Sequence, residues 1–215
     1  MSATRILHRA ANERTMHHLA AHPAVDVLEG DLWMRGGRLV AHHDRPLGAL
    51  PLLLHKRGFS RVPGDLVTFR DLATLMQSGA TLMVDLRSWF RDPTVDAARE
   101  LVPLDDRSRI GVSCEAWPVA DRLRAWMPDL HVVYSVRSRQ QLDRYLVGRH
   151  NGSLPETAIS VRHTLLTSAR QMQELQQVAG RVSAWTVDDI DRAIELVEWG
   201  VDALISNQLH VLNSL

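Results

Sequence analysis

Short apolar runs alternate with amphipathic stretches along the whole chain. The run from Thr81 to Leu86 is apolar at almost every position, as in a strand that is buried on both faces. Asn12 and Thr68 are predicted helix caps, and after Thr68 the apolar residues Leu72, Leu75 and Met76 recur at the spacing of a helix with one inner face. These patterns predict strands over 4–7, 25–32, 81–86, 109–113, 131–134, 157–161, 182–186 and 203–205, and helices over 12–21, 93–101, 115–126, 138–147, 167–178 and 188–199, together with one after Thr68 and a short one closing at Leu215.

Strands that alternate with helices are typical of βα units around a parallel sheet. Eight such strands predict an α/β fold, a (β/α)8 TIM barrel, with residues 1–215 forming one domain that no linker divides. The alternative is a doubly wound open sheet. No Gly-x-Gly-x-x-Gly turn follows any predicted strand, which removes the commonest nucleotide-binding form of that alternative.

One segment departs from the alternation of strands and helices. The second strand continues through a Gly36-Gly37 turn into a further strand over 38–42. Residues 45–65 are rich in Pro and Gly, and we expect a loop there, a reduced insertion after the second strand. Its apolar run from Leu47 to Leu54 is expected to fold over the barrel as a cover, the alternative being an apolar lip for a lipid-like substrate.

Composition narrows the range of partners. The 25 Lys and Arg residues balance 25 Asp and Glu residues, so bulk charge does not favour a nucleic acid or an anionic membrane as a partner. The first residues lack the long apolar core that is typical of a signal peptide, and the most apolar run is too short to span a bilayer. Cys114 is the only cysteine, which fits a reducing compartment. We therefore expect a cytoplasmic protein without stable membrane insertion, whose oligomeric state the sequence leaves open.

Carboxylates gather on the second and third predicted strands. Glu29 and Asp31 lie two residues apart and so point to the same face, where they repel each other unless a cation lies between them. Asp85 ends the next strand, and the Gly36-Gly37 turn returns His42 or His43 toward the acidic pair. The carboxyl ends of barrel strands line one mouth, so these three carboxylates predict an oxygen cage for one hard divalent cation, Mg²⁺ or Ca²⁺. The alternative is that they form salt bridges with nearby arginines.

Several short motifs lie at or beside the predicted strand ends. They are His8-Arg9-Ala10 with the following Asn12-Glu13-Arg14-Thr15, Glu29-Gly30-Asp31, Leu39-Val40-Ala41-His42-His43-Asp44, Val84-Asp85-Leu86-Arg87, Trp185-Thr186-Val187-Asp188 and Gly200-Val201-Asp202. In order and position they resemble the motifs of the glycerophosphodiester phosphodiesterases, from Ile6 to Ile205. The resemblance implies a metal-dependent hydrolase that acts on a small-molecule phosphodiester and yields glycerol 3-phosphate and an alcohol.

The resemblance also implies roles for individual residues. Glu29, Asp31 and Asp85 would hold the divalent metal ion, and His8 and His43 would be the general acid and base, in an order that the sequence leaves open. Arg9 and Arg87 would bind the substrate phosphate, and Trp185 would form an apolar wall for the substrate.

The chain departs from the family pattern at a few motif positions. The family has glutamate at Asp85, lysine at Arg87, glycine at Ala10, asparagine at Asp188 and Thr-Asp at Ser206-Asn207. Two alternative functions stay open. One is a phospholipase or lyase on the same fold that forms a cyclic phosphate. The other, motivated by the departures at Asp85, Ala10 and Ser206-Asn207, is a catalytically silent barrel that binds phosphodiesters.

Overall fold

The computed structural model describes residues 3–12, 15–47, 50–87, 92–104 and 107–215. In chain order its strands are β1 Thr4–Leu7, β2 Val27–Arg35, β3 Arg38–Ala41, β4 Arg45–Pro46, β5 Leu52–His55, β6 Gly58–Arg61, β7 Val67–Thr68, β8 Leu82–Leu86, β9 Ile110–Cys114, β10 His131–Val136, β11 Ala158–Arg162, β12 Val182–Trp185 and β13 Ala203–Ser206. The helices are α1 Met16–Ala20, α2 Phe69–Gln77, α3 Thr94–Leu101, α4 Trp117–Trp126, α5 Arg139–His150, α6 Ala169–Gln176, α7 Ile190–Glu198 and α8 Leu209–Asn213.

Eight parallel strands close into a barrel in the order β1, β2, β8, β9, β10, β11, β12 and β13. Pairing of β1 with both β13 and β2 completes the ring, for example Ile6 opposite Val27. The predicted (β/α)8 barrel is therefore confirmed. Among the described residues, no helix combines the length and the apolarity needed to cross a bilayer.

Apolar packing between strands and helices supplies most of the core. Trp117 of α4 stacks on Tyr134 of β10 with ring centroids 4.8 Å apart, and both are buried. Inside the barrel the apolar layer is smaller and consists of Ile6, Met83, Val133, Ala158, Ala203 and Ile205. Cys114 is buried in the outer core, and burial raises the pKa of its thiol to about 12, so it is an inert packing residue.

The predicted start of the first helix at Asn12 is wrong. A 3₁₀ turn covers Ala10–Asn12, and α1 begins only at Met16, while residues 13 and 14 lie outside the described residues. Asn12, predicted as the helix cap, instead directs its side chain to Asp31. By contrast, Thr68 caps α2 as predicted, with a reciprocal capping box to Asp71.

The predicted loop over 45–65 is also wrong, because β4, β5 and β6 form a small antiparallel sheet. Its hairpin pairs His55 with Gly58, which has a φ of +127° and closes the turn. Leu53 packs inward and is buried, whereas Leu50 and Phe59 are exposed, so the apolar run supplies both a buried anchor and an outer surface. Residues 48 and 49 of that run lie outside the described residues.

Candidate functional site

A cavity of about 450 Å³ opens at the carboxyl ends of the barrel strands. It is lined by charged and polar side chains that include most of the residues singled out from the sequence, namely His8, Arg9, Glu29, His43, Asp85, Arg87 and Trp185. Asp31 lies directly behind them and is fully buried. The barrel therefore brings all eight predicted site residues to one end of the fold.

The three carboxylates meet because of the strand register. Asp31 on β2 pairs with Asp85 on β8, and Glu29 lies two residues earlier on the same face of β2. Glu29, Asp31 and Asp85 each offer one carboxylate oxygen, and these three oxygens lie within 4.8 Å of one another. All three side chains are buried, and such a set of close oxygen donors fits a hard divalent cation.

Arg87 supplies a cation beside this cluster. Its Nε and one Nη donate to the same oxygen of Asp31 at 2.9 and 2.7 Å, and that Nη lies 2.8 Å from Asp85. One guanidinium thus neutralises two carboxylates in part, whereas within the described part of the chain no arginine side chain forms such an ion pair with Glu29. Burial, opposed by Arg87, still raises the pKa of Asp85 to about 6.

Glu29 receives weaker compensation. Its carboxylate accepts the backbone N–H of Arg9 at 2.7 Å, which the unusual φ of +61° at Arg9 makes possible. Burial and the neighbouring charges of Asp31 and Asp85 raise the pKa of Glu29 well above its ordinary value. The ionised form of Glu29 is therefore poorly compensated in the absence of a cation, and an added cation beside it would stabilise that form.

The carboxylates are held in place by neighbours that the sequence did not reveal. Asn12 donates to Asp31 at 3.1 Å and accepts the backbone N–H of Asp31 at 2.9 Å. Ser113 donates to Asp85 at 3.1 Å from the next strand. Gly30 makes room for the 3₁₀ turn, since an added Cβ would lie 2.8 Å from the Cβ of Ala11. A small residue between two acids was the only signal of this close contact.

His8 is held by the end of the neighbouring strand β13. Its backbone N–H donates to Ser206 at 2.8 Å, and its Nδ1 lies 2.8 Å from Oδ1 of Asn207. Its other ring nitrogen, Nε2, lies 3.7 Å from Glu29 on the cavity side. Burial holds the pKa of His8 below its ordinary value, because the hydrogen bond that Asn207 accepts from the ring only partly offsets it.

His43 lies at the more open edge of the cavity, with its side chain 44% exposed. Nε2 of His43 lies 2.5 Å from a guanidinium nitrogen of Arg9, and Nδ1 lies 3.3 Å from the carboxylate of Asp44. A guanidinium only donates, so Nε2 is the acceptor in this arrangement. His42 differs from His43, since its ring accepts the backbone N–H of Asp44 at 2.9 Å and closes the loop.

The far side of the cavity carries aromatic and cationic groups. Trp185 is fixed by a 2.9 Å hydrogen bond from its indole N–H to the carbonyl of Ser160 and faces the cavity. Lys56, Arg137 and Arg162 also line this space. Tyr134 points away from this space, outward to Asp121 and Arg124, because alternation along β10 turns it toward α4.

The comparisons with known proteins agree with this architecture. No protein-family model matches the sequence, and no curated protein matches it. A phosphodiesterase from Oleispira antarctica, solved in complex with the product sn-glycerol-3-phosphate, superimposes with a TM-score of 0.75 at 16% identity, over 98% of this chain and 96% of that one. A glycerophosphodiester phosphodiesterase from Parabacteroides distasonis gives a TM-score of 0.75 at 16% identity, over 98% and 95%. Over nearly its whole length, this chain has the barrel fold of solved glycerophosphodiester phosphodiesterases.

Proposed function

We propose that this protein is a metal-dependent phosphodiesterase that hydrolyses glycerophosphodiesters to glycerol 3-phosphate and an alcohol. One observation carries the proposal. A cluster of three buried carboxylates that could hold a cation adjoins the cavity that His8 and His43 line, and two of its members, Glu29 and Asp85, line that cavity themselves; the two imidazoles are suited to proton transfer near neutral pH. The likeness in fold to solved phosphodiesterases supports the same conclusion.

Glu29, Asp31 and Asp85 would hold the divalent cation, and the oxygen-only donor set favours Mg²⁺ or Ca²⁺. Such a cation, when bound, would neutralise the negative charge that develops on the phosphoryl oxygens. Arg87 holds Asp31 and Asp85 together, and so it orients two of the three ligands. Its predicted contact with the substrate phosphate would use the part of the guanidinium that faces the cavity.

His8 and His43 would carry the two proton transfers. One imidazole takes a proton from the attacking water or hydroxyl as the new P–O bond forms, and the other gives a proton to the departing alcohol oxygen as the old bond breaks. Arg9, which now donates to His43, is placed to turn to a bound phosphate. That movement would release Nε2 of His43, which then takes up a proton. Trp185 would cover the glycerol or the leaving group with its apolar face.

The test is release of sn-glycerol 3-phosphate from glycerophosphocholine or glycerophosphoethanolamine, with Mg²⁺ or Ca²⁺ present and again after chelation. We expect turnover that the chelator abolishes and that either cation restores. A folded protein that turns over neither substrate with either metal would contradict the proposal.

The same assay separates the two alternative functions. A cyclic phosphate among the products, with no oxygen from labelled solvent, would identify attack by a neighbouring hydroxyl and hence the lyase. Binding of the phosphodiester without any product would identify a silent barrel.

A further inference from the structure

Asp188, Asn207 and His8 form a chain of hydrogen bonds across three adjacent strand ends. They follow β12, β13 and β1, which are neighbours in the barrel. The side-chain amide of Asn207 donates from Nδ2 to Asp188 at 2.7 Å, and its Oδ1 lies 2.8 Å from Nδ1 of His8. Each of the three side chains therefore contacts the next.

Asp188 is held firmly enough to determine how Asn207 is oriented. One of its oxygens accepts from the backbone N–H of Asn207 at 2.8 Å and from the hydroxyl of Ser206 at 3.0 Å, and the other accepts from Nδ2 of Asn207. Burial would raise the pKa of Asp188, but these hydrogen bonds outweigh it and the pKa lies below the ordinary value. Asp188 is thus an ionised carboxylate that can only accept hydrogen bonds.

Because Asp188 only accepts, it determines which atom donates and which accepts in each hydrogen bond from Asp188 through Asn207 to His8. The amide of Asn207 must turn Nδ2 toward Asp188, and this leaves Oδ1 facing His8. An amide oxygen only accepts, so Nδ1 of His8 must carry the proton. The lone pair of the neutral ring is then on Nε2, the nitrogen on the cavity side near Glu29.

We propose that Asp188, acting through Asn207, is a positioning residue that holds His8 in the tautomer with a proton on Nδ1, so that Nε2 of His8 is the general base. The catalytic part of this inference rests on the proposed function. The inference assigns the role of general base to His8 and not to His43, a choice that the motifs leave open. His43 is then the general acid. Nε2 of His8 accepts the proton of the attacking oxygen, and His43 returns a proton to the departing one.

The pattern of departures from the family supports this assignment. Where the resembling family has asparagine in Trp-Thr-Val-Asn and aspartate in Thr-Asp, this chain has Asp188 and Asn207. The carboxylate and the amide are exchanged between two side chains that contact each other directly. Two isolated losses would break this contact, whereas a reciprocal exchange preserves one amide bound to one carboxylate.

The exchange suggests a set of variants with opposite expected results. In Asp188→Asn the residue at 188 gains donors, so Asn207 can flip and present its Nδ2 to His8, which moves the ring proton to Nε2. We expect kcat to fall about 10²-fold with little change in KM, because the base is lost and substrate binding is kept. In the double variant Asp188→Asn with Asn207→Asp, the carboxylate again accepts from Nδ1, and kcat is expected to recover to within about tenfold of the wild type.

The decisive measurement is the ¹⁵N NMR signature of the His8 ring, assigned by its loss in His8→Gln and recorded without substrate. We expect a proton on Nδ1 in the wild type and the double variant, and on Nε2 in Asp188→Asn. Asp191→Asn, an exposed change on α7 with the same loss of charge, is the control and is expected to leave both the tautomer and kcat unchanged.

A wild-type His8 with its proton on Nε2 would overturn the proposal, as would an active Asp188→Asn variant with unchanged kcat, or a folded double variant no more active than Asp188→Asn. If Asp188→Asn does not fold, Asn207→Ser removes the acceptor of His8 while Asp188 stays, and the same loss of kcat is required. A wild type with no turnover defeats the proposed function instead, and the NMR reading of the tautomer still tests the hydrogen-bond chain.

Discussion

Asp31 and Asp85 occupy paired positions on two adjacent parallel strands, and one nitrogen of Arg87 lies 2.7 Å from the first and 2.8 Å from the second. Two carboxylates in such a position repel each other, and burial strengthens that repulsion. The guanidinium offsets part of the cost for these two acids, while Glu29 depends on a backbone N–H and on whatever cation joins the cluster.

Replacing Arg87 with methionine should show how much its guanidinium stabilises the two carboxylates. The change leaves two buried carboxylates without their cation, so we expect a loss of about 3–5 kcal/mol in the free energy of unfolding in the absence of metal. A saturating divalent cation should recover more stability in Arg87→Met than in the wild type, measured by denaturant unfolding with and without Mg²⁺ or Ca²⁺. Arg139→Met, which removes an exposed pair with Asp143 on α5, is the control and should cost little. Equal losses in the two variants would show that Arg87 does not stabilise the cluster.

The carboxylate cluster predicts a pH dependence of metal-induced stabilisation. The folded pKa of Asp85 is about 6, above an unfolded value of about 3.9, so the metal-free folded state holds its proton more tightly. This contribution to stability is complete below about pH 4 and is lost as the pH rises to about 6. Glu29 changes stability in the same direction. A bound cation replaces these protons, so the rise in Tm on adding Mg²⁺ or Ca²⁺ should be small at pH 5 and much larger at pH 7. A rise that is the same at both pH values would contradict a site built on these acids.

Replacing either histidine by glutamine should separate catalysis from binding. We expect His8→Gln and His43→Gln to lower kcat by about 10²–10⁴-fold, since each removes one proton transfer. Affinity for the divalent cation, measured by calorimetry, should change little because neither imidazole is among the proposed ligands. His17→Gln, an exposed histidine on α1, is the matched control and should keep full activity. Full activity in His8→Gln or His43→Gln would rule out the proposed acid and base.

A methyl group added at Gly30 should displace the 3₁₀ turn that holds Asp31 in place. Its Cβ would meet Ala11 at 2.8 Å and Oδ1 of Asn12 at 2.9 Å, so the 3₁₀ turn must shift and Asn12 must release Asp31. We expect Gly30→Ala to cost about 1–3 kcal/mol in stability and to weaken metal binding by about 10–100-fold. Gly64→Ala, where an added Cβ meets no heavy atom within 4 Å, should change neither quantity. Unchanged metal affinity in Gly30→Ala would show that metal binding does not need the hydrogen bonds between Asn12 and Asp31.

The sequence by itself determined the barrel and placed the eight predicted site residues at one end of it. Apolar runs and helical spacing are local properties of the chain, and a barrel places the carboxyl ends of all its strands at one mouth. The position of a residue at a strand end therefore sufficed to bring His8, Asp85 and Trp185 to the same cavity. The motif order that resembles the phosphodiesterases added their expected roles.

Only the tertiary structure decided how these groups contact one another. The pairing of Asp31 with Asp85 depends on strand register. The side chain of Asn12 donates to Asp31 and does not cap a helix, although the local sequence favours a cap there. The small sheet over 45–61 pairs strands that lie close in sequence, Arg45 with Leu54 and Leu52 with Arg61, although the Pro and Gly content of this segment indicated a loop. The bonds from Asp188 through Asn207 to His8 join residues up to 199 positions apart. Such contacts arise from chain closure, which no local pattern of residues encodes.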